Sequence, residues 1–205
     1  MTTRPQRQRF RGQITGLGST GGTRVVVGHW RESPYGAFSD AMVERAGGHR
    51  VLLAPTQEVA DLIARTYEFD EVRVEPVRVD VDGERWRLRA SSLSLDWTVG
   101  RRTWLGLLTR CVPRRVAEAP WFCAVTDPVA RVVLRGVRTR GAARDDGREW
   151  YGATDNHAVV SMTGSYDGEA LGVLAPLEPP PRFGFSSTPP RPSLTDVLTT
   201  VELAT

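Results

Sequence analysis

The chain has 205 residues and a formal net charge of +3. All 27 of its basic residues are arginines, so the protein cannot use a Schiff-base lysine, a P-loop lysine or a catalytic lysine base. Hydrophobic residues make up 40% and charged residues 25% of the chain, an ordinary globular composition, so we expect one domain over residues 1–205 with a flexible leader at residues 1–8. Residues 1–12 lack an apolar segment and no run of eighteen apolar residues occurs, so we expect a cytoplasmic protein with no membrane partner.

The first predicted elements are strands. The glycine-rich residues 16–21 match the dinucleotide pattern GxGxxG, but no clear strand precedes them, and residues 23–30 favour a strand where a cofactor loop needs a helix. We therefore predict a flexible hairpin loop and no cofactor. Residues 38–44 and 49–54 favour two further strands joined around Gly47 and Gly48.

An amphipathic helix follows Pro55. Val59, Leu62, Ile63 and Tyr67 have helical spacing. Thr56 directly precedes this stretch and is the predicted N-cap.

A hairpin is predicted around Asp82-Gly83. Residues 71–74 and 77–81 alternate with period two on either side of Pro76, which indicates a bulge or an edge there. A type I′ turn at Asp82-Gly83 places Val79 opposite Trp86. Residues 93–99 alternate apolar and polar side chains, which predicts another strand with one wet face.

The last third of the chain is less regular. Residues 103–112 favour a short helix, whereas residues 128–140 suit either a helix or a strand. Residues 149–154 and 157–166 favour strands, with Asp155-Asn156 as the turn between them. Residues 176–192 hold seven prolines and must be extended, and residues 196–201 favour a last strand. The predicted fold is α+β and β-rich: a curled antiparallel sheet or barrel with one to three short helices.

Cysteine and histidine spacing does not predict a metal site. Cys111 and Cys123 lack a CxxC spacing and are predicted to be reduced core residues. His29, His49 and His157 have no partner at i+4. His49 lies beside a Gly-Gly turn, where we expect it to be solvated.

Residues 28–36 form the first candidate site. His29, Trp30, Arg31 and Tyr35 bring an imidazole, an indole, a guanidinium and a phenol together at a strand end, and loops of this kind often carry function. The alternative is a strand end whose aromatic side chains fill the core.

Residues 148–157 form the second candidate site. On paired strands Glu149, Tyr151 and His157 could converge as a proton-transfer site. The alternative is that residues 155–156 only form a turn and that His157 begins an exposed strand.

Arginine clusters offer a further interpretation. Arg138 and Arg140 resemble a flexible phosphate-contacting loop. However, 24 acidic residues are interspersed with the arginines and no nucleic-acid-binding signature is present, so no nucleic-acid partner is expected. The oligomeric state stays open.

Several segments resemble known families. The chain resembles a group of conserved hypothetical proteins of actinobacteria in three segments, SPYGAFSDAMVE, RGVRTRG and RFGFSSTP. This resemblance implies provenance but no activity. Residues 33–38, SPYGAF, resemble the SPxGPY-type stretch that precedes a strand in the acetoacetate decarboxylase-like superfamily. Decarboxylases of that superfamily use a Schiff-base lysine, so the resemblance implies a shared β-rich fold without that reaction.

Three functions remain open. The first is binding of a small, partly apolar ligand in a pocket. The predicted binding residues are Trp30, Arg31, Tyr35, Arg138, Arg140 and Trp150. Trp86 is a further residue predicted to line the pocket. The second is an enzyme of the same fold with His29 or His157 as acid/base beside Glu149 or Tyr151. The third is a protein-interaction module built on residues 176–192.

Overall fold

A computed structural model describes residues 6–110, 140–142, 148–184 and 189–203 of the chain. These ranges contain thirteen strands and two helices. In chain order they are β1 (Gln6–Ser19), β2 (Arg24–Glu32), β3 (Phe38–Glu44), β4 (Arg50–Ala54), α1 (Gln57–Thr66), β5 (Glu71–Val74), β6 (Arg78–Asp82), β7 (Arg85–Arg89), β8 (Leu93–Arg102), α2 (Trp104–Arg110), β9 (Arg140–Ala142), β10 (Arg148–Tyr166), β11 (Glu169–Ala170), β12 (Leu174–Ala175) and β13 (Ser193–Leu203).

The strands form one mixed sheet. Its main order is β5-β4-β3-β2-β1-β13-β10-β8-β7-β6, and β9, β11 and β12 pair at its sides. Neighbouring strands run antiparallel except β4 and β5. That pair is parallel because α1 carries the chain back before β5 begins, so the expectation of a purely antiparallel sheet is wrong at this one edge.

A short connection makes the sheet curl. β5 and β6 lie at opposite ends of the strand order, yet only residues 75–77 connect them. Ten strands laid flat would span about 43 Å, whereas this connection reaches at most about 14 Å. The sheet must therefore close on itself, and it acquires an inner face and an outer face. The predicted β-rich α+β class with a curled sheet is confirmed.

The inner face holds the main core. Alternate residues of facing strands fill it, which is the pattern expected where one side of each strand is buried. Its buried members include Leu17, Val25, Val27, Trp86, Leu88, Leu95, Trp97 and Val159.

Helix α1 covers part of the outer face. The hydroxyl of Thr56 accepts a hydrogen bond from the backbone N–H of Val59, which confirms the predicted N-cap. Val59 and Ala60 pack on Leu52 and Ala54 of β4. The amphipathic pattern of the helix thus fixes it on the side of β4 that faces away from the main core.

The β6–β7 hairpin is confirmed, but its predicted register is wrong. Val81 lies opposite Trp86, and Val79 lies opposite Leu88. Asp82 pairs with Arg85, so the two turn residues are Gly83 and Glu84. Gly83 has a φ of +61° and Glu84 has no positive φ, which fits a type II′ turn with glycine first. The partner of each residue differs from the predicted one by two positions, and because two is an even number the predicted face of each residue is kept.

The predicted turn at Asp155-Asn156 is wrong. Residues 148–166 form one continuous strand, with a register shift between Ala153 and Asp155 where it pairs with β13. Asp155 accepts hydrogen bonds from Arg102, and the side-chain amide of Asn156 donates to Thr195. Cross-strand partners therefore satisfy the two side chains that would otherwise favour a turn, and the irregularity is a bulge.

The amino-terminal strand begins earlier than expected. β1 starts at Gln6, so residues 6–8 pair with β13 and are not part of a flexible leader. The hairpin predicted at the glycine-rich motif is present as the β1–β2 connection, but residues 16–19 belong to β1 itself.

The described part of the proline-rich segment is built into the fold. Leu177 and Phe183 are buried, and Leu177 hydrogen-bonds through its backbone to Pro190. Arg182 pairs through its side chain and its backbone N–H with Glu44.

Some predictions lie outside the described residues. They concern Cys111, Cys123, Arg138 and the helix-or-strand alternative for residues 128–139. Within the described ranges, no helix has the length and apolar character needed to cross a membrane.

Candidate binding cavity

Strand alternation separates the side chains of the first candidate site. His29 pairs with Ser39 and Trp30 pairs with Phe38 across β2 and β3. Successive residues of a strand point to opposite faces. His29 accordingly points to the inner face, where its ring meets Trp86 edge-on at 5.7 Å, and Trp30 points to the outer face.

A small cavity lies between the outer face and α1. Its volume is about 70 Å³, which is space for several water-sized groups. The walls come from β1, β2, β3, α1 and β13 and are mostly apolar. The lining residues are Phe10, Ile14, Val26, Gly28, Trp30, Phe38, Asp40, Met42, Leu62, Ile63, Thr66, Tyr67 and Thr199. We call this space the sheet–helix cavity.

Aromatic rings form one wall. The rings of Phe10 and Trp30 meet edge-on at 5.8 Å, and Phe38 lies 6.4 Å from Trp30. Tyr35 stacks on Phe10 at 6.3 Å, just outside the lining. The turn at residues 33–36 holds Tyr35 there, because its backbone N–H donates to the hydroxyl of Ser33 and Gly36 adopts a φ of +80°.

Asp40 is the acid of the cavity. It is 4% exposed, and its Oδ1 accepts a hydrogen bond of 2.9 Å from Nε1 of Trp30. Burial raises the pKa of Asp40 to about 6, and the hydrogen bond from Trp30 opposes this shift. Asp40 therefore changes charge close to neutral pH, where an exposed aspartate is fully ionised.

Thr199 supplies a second polar atom. It is 3% exposed, and its Oγ1 has no hydrogen-bond partner within the described part of the chain. Buried hydroxyls are ordinarily paired. The lining therefore carries one hydroxyl that a ligand or a water molecule can satisfy.

A row of polar side chains crosses the inner face. We define the inner polar row as Ser39, His29, Gln13, Asp196 and Asp155, which follow one another across β3, β2, β1, β13 and β10. Nδ1 of His29 lies 2.9 Å from the Ser39 hydroxyl, and the Gln13 amide donates to Asp196 at 2.8 Å. Burial, and secondarily the charge of Arg31, lowers the pKa of His29, so the imidazole is neutral at pH 7.

Arginines bind the acids of the inner polar row. The guanidinium of Arg31 lies 3.6 Å from the carboxylate of Asp196. Arg102 forms a bidentate ion pair with the carboxylate of Asp155. His157 donates from Nδ1 to the carbonyl of Gly100, and its Nε2 lies 3.6 Å from Asp155. Both acids of the row therefore have partners, whereas Oε1 of Gln13 is buried without a hydrogen-bond partner among the described residues.

The predicted site residues divide into separate places. Trp30 and Tyr35 come together beside the sheet–helix cavity, whereas His29 and Arg31 lie on the inner face. His49 is half-exposed and contacts Glu71.

The second candidate site does not assemble as a hairpin. Glu149, Tyr151 and His157 lie on the same strand, β10. Eight residues of strand separate Glu149 from His157, about 26 Å of extended backbone. Trp150 pairs through its backbone with Arg140 of β9.

Asp40 and Thr199 were missed by sequence reasoning. The sequence did contain a signal for Asp40. Asp40 lies between Phe38 and Met42 on the same face of a strand, and this part of the face is otherwise apolar. Thr199 carried no such signal, since threonine is common in strands. Within the described ranges, no group of three or more His, Cys, Asp or Glu side chains is arranged to hold a metal.

Comparison with known proteins finds similarity only at the level of structure. No protein-family model and no curated protein matches the chain. The chain is similar to the crystal structure of acetoacetate decarboxylase from Legionella pneumophila subsp. pneumophila str. Philadelphia 1, with 6% identity and a TM-score of 0.42 over 97% of this chain and 84% of that one. A second acetoacetate decarboxylase structure gives 8% identity and a TM-score of 0.44 over 98% and 87%.

Proposed function

We propose that the protein binds a small, mostly apolar molecule in the sheet–helix cavity. The observation that carries this proposal is an aromatic-walled cavity that contains a single buried carboxyl, Asp40, with one hydrogen bond. Ligand sites commonly combine apolar walls with a few placed polar groups. A residue whose pKa is shifted by burial in such a place is a further indication of function.

The polar groups of the lining set the chemistry of the ligand. The sequence suggested arginines that hold an anionic group, but the lining within the described residues contains a carboxyl and no arginine. Asp40 and Thr199 suit a ligand that donates hydrogen bonds. The apolar body of the ligand would lie against Trp30, Phe38 and Leu62.

Nuclear magnetic resonance can test the proposal directly. The indole N–H of Trp30 lies at the cavity, so 1-butanol added to ¹⁵N-labelled protein should shift its signal in a saturable way. Ile63→Phe fills the cavity from α1 and should abolish the shift. Val81→Phe, at a position 49% exposed, is the matched control and should preserve it. An unshifted Trp30 signal in the wild-type protein would rule out binding here.

A catalytic use of the cavity is the second candidate. It is favoured by the pKa of Asp40, about 6, which suits a general acid or base near neutral pH. If Asp40 transfers a proton, Asp40→Asn should abolish turnover of a bound substrate while it still binds. If the protein only binds, no chemical change of the ligand should accompany binding.

The interaction-module alternative has less support. The described part of residues 176–192 contributes Leu177 to the interior and binds residue 190 through its backbone, so it offers less free surface than the sequence suggested. We retain a cytoplasmic location and a single domain as parts of the proposal.

A further inference from the structure

We propose that the molecule held in the sheet–helix cavity is a small amine with an apolar body, whose protonated nitrogen is bound by the carboxylate of Asp40. This inference rests on the proposed function and names the class of ligand.

The buried carboxyl of Asp40 has no balancing cation among the residues that the structure describes. Its Oδ1 accepts from Trp30, and no other hydrogen bond or ion pair to this carboxyl occurs within the described part of the chain. The nearest arginine along β2, Arg31, points to the inner face and pairs with Asp196. A buried carboxylate without a cation is unfavourable. It therefore takes up either a proton or a cationic ligand.

Another buried acid of the outer face, Glu44, has the cations that Asp40 lacks within the described part of the chain. Glu44 is fully buried, and it contacts two guanidinium groups, at 3.0 Å from Arg24 and 3.1 Å from Arg182. Within the described ranges, arginines neutralise Glu44, whereas none pairs with Asp40. A cationic ligand in the sheet–helix cavity would supply the positive charge that Asp40 lacks there.

An ammonium group fits the chemistry of the cavity lining. An ammonium carries three donors and a positive charge, whereas an alcohol offers one donor and a carboxylate would be repelled. The rings of Phe10 and Trp30 favour a cation near their faces. The cavity of about 70 Å³ restricts the apolar body to a few carbon atoms.

Proton linkage follows from the same contact. An amine binds the ionised form of Asp40, so its affinity should fall as the pH drops below about 6. The titratable side chains of the lining are Asp40 and the phenol of Tyr67, with Tyr35 beside them. Asp40 is the carboxylic acid of the described lining, and its raised pKa of about 6 places its ionisation close to neutral pH.

Three probes with four carbons separate the possibilities. Wild-type protein at pH 7.5 is titrated with n-butylamine, 1-butanol and butyrate, and the Trp30 indole signal reports occupancy. We expect n-butylamine to bind at least tenfold more tightly than 1-butanol and butyrate not to bind. Asp40→Asn, whose side-chain oxygen can still accept from Trp30, should reduce the amine to the affinity of the alcohol. Asp196→Asn removes a half-buried acid of the inner polar row and should leave the preference unchanged.

Each outcome distinguishes the two proposals. If 1-butanol binds as tightly as n-butylamine, the amine inference is wrong and cavity binding stands. If neither probe shifts the Trp30 signal, the proposed function itself is wrong. If Asp40→Asn does not fold, wild-type protein at pH 4.5, where Asp40 is protonated, takes its place. An amine preference that survives at pH 4.5 would overturn the inference.

Discussion

The indole of Trp30 and the carboxyl of Asp40 meet over the backbone of Gly28. Nε1 of Trp30 donates to Oδ1 of Asp40 at 2.9 Å, and Gly28 is the cross-strand partner of Asp40 in the β2–β3 pair. A Cβ at position 28 would overlap Oδ1 of Asp40 and lie 2.6 Å from Nε1 of Trp30. The hydrogen bond therefore requires a residue without a side chain at this point of β2.

Gly28→Ala should disrupt this pair. The added methyl group forces Trp30 or Asp40 to move in a packed region, which costs about 1–3 kcal/mol of unfolding free energy. Urea titration measures the loss, and the Trp30 indole signal should shift at the same time. Gly47→Ala is the control, because a Cβ there meets nothing within 4 Å and the φ is not positive. Equal stabilities of the two variants would contradict the geometry.

The buried acid should make stability depend on pH. The pKa of Asp40 is raised from 3.8 to about 6, so the folded state holds this proton at pH values where the unfolded state has lost it. Its contribution is therefore most favourable below pH 4, decreases as the pH rises to 6 and is constant above that. The decrease is on the order of 3 kcal/mol.

The pH effect is measured as the difference between wild-type protein and Asp40→Asn. Other acids act in the opposite direction; hydrogen bonds from Arg50, for example, hold the pKa of Asp70 well below its usual range. Urea unfolding of both proteins at pH 4.5 and 7.5 should show the wild type losing stability relative to Asp40→Asn as the pH rises. A constant difference between the two proteins would show that Asp40 titrates normally.

Thr199→Val should stabilise the unliganded protein. The Thr199 hydroxyl is buried and has no hydrogen-bond partner in the part of the chain that the structure describes. Replacing it with a methyl group of similar shape removes an unsatisfied polar atom, worth about 1 kcal/mol. Thr195→Val is the contrast, because the Thr195 hydroxyl accepts from Asn156 and its loss should destabilise. Thermal unfolding compares the two variants. Destabilisation by both would indicate that Thr199 has a partner.

Local patterns predicted most of the elements because each carried its own signal. The helix after Thr56 has both a cap and an amphipathic face, and residues 93–100 of β8 alternate between buried and half-buried side chains. The closure of the sheet had no local signal. Closure depends on the pairing of β1 with β13, which are separated by most of the sequence, and on the short link between β5 and β6.

The site was less predictable than the fold. Residues 28–36 were identified as a candidate, but the sequence could not show that His29 and Trp30 belong to different faces until the register with Ser39 and Phe38 was known. The partner of Trp30 is Asp40, ten residues away across a hairpin. A cavity wall built from distant strands and a helix depends on tertiary packing and has no signature in a single stretch of sequence.

Trp86 should be a stability residue of the inner face. It is 7% exposed and contacts the rings of His29 and Trp97, so Trp86→Ala should cost about 3–5 kcal/mol. Val81 lies directly opposite it but is 49% exposed, so Val81→Ala should change stability by less than about 0.5 kcal/mol. Denaturant titration of both variants tests the observed register. A large loss for Val81→Ala would favour a different pairing.

The buried ion pair of Glu44 should hold the proline-rich segment on the sheet. Glu44 is fully buried and binds Arg24, which is 6% exposed, and it also accepts from the backbone N–H of Arg182. Glu44→Gln leaves the Arg24 guanidinium buried without a counter-charge, which should cost about 3–5 kcal/mol. Arg182→Ala should cost about 1 kcal/mol or less, because its side chain is 71% exposed and its backbone bond is kept. Urea unfolding gives both values, and hydrogen exchange at the Arg182 amide should accelerate only in Glu44→Gln. Equal losses in the two variants would mean that the exposed guanidinium, and not the buried pair with Arg24, carries the interaction.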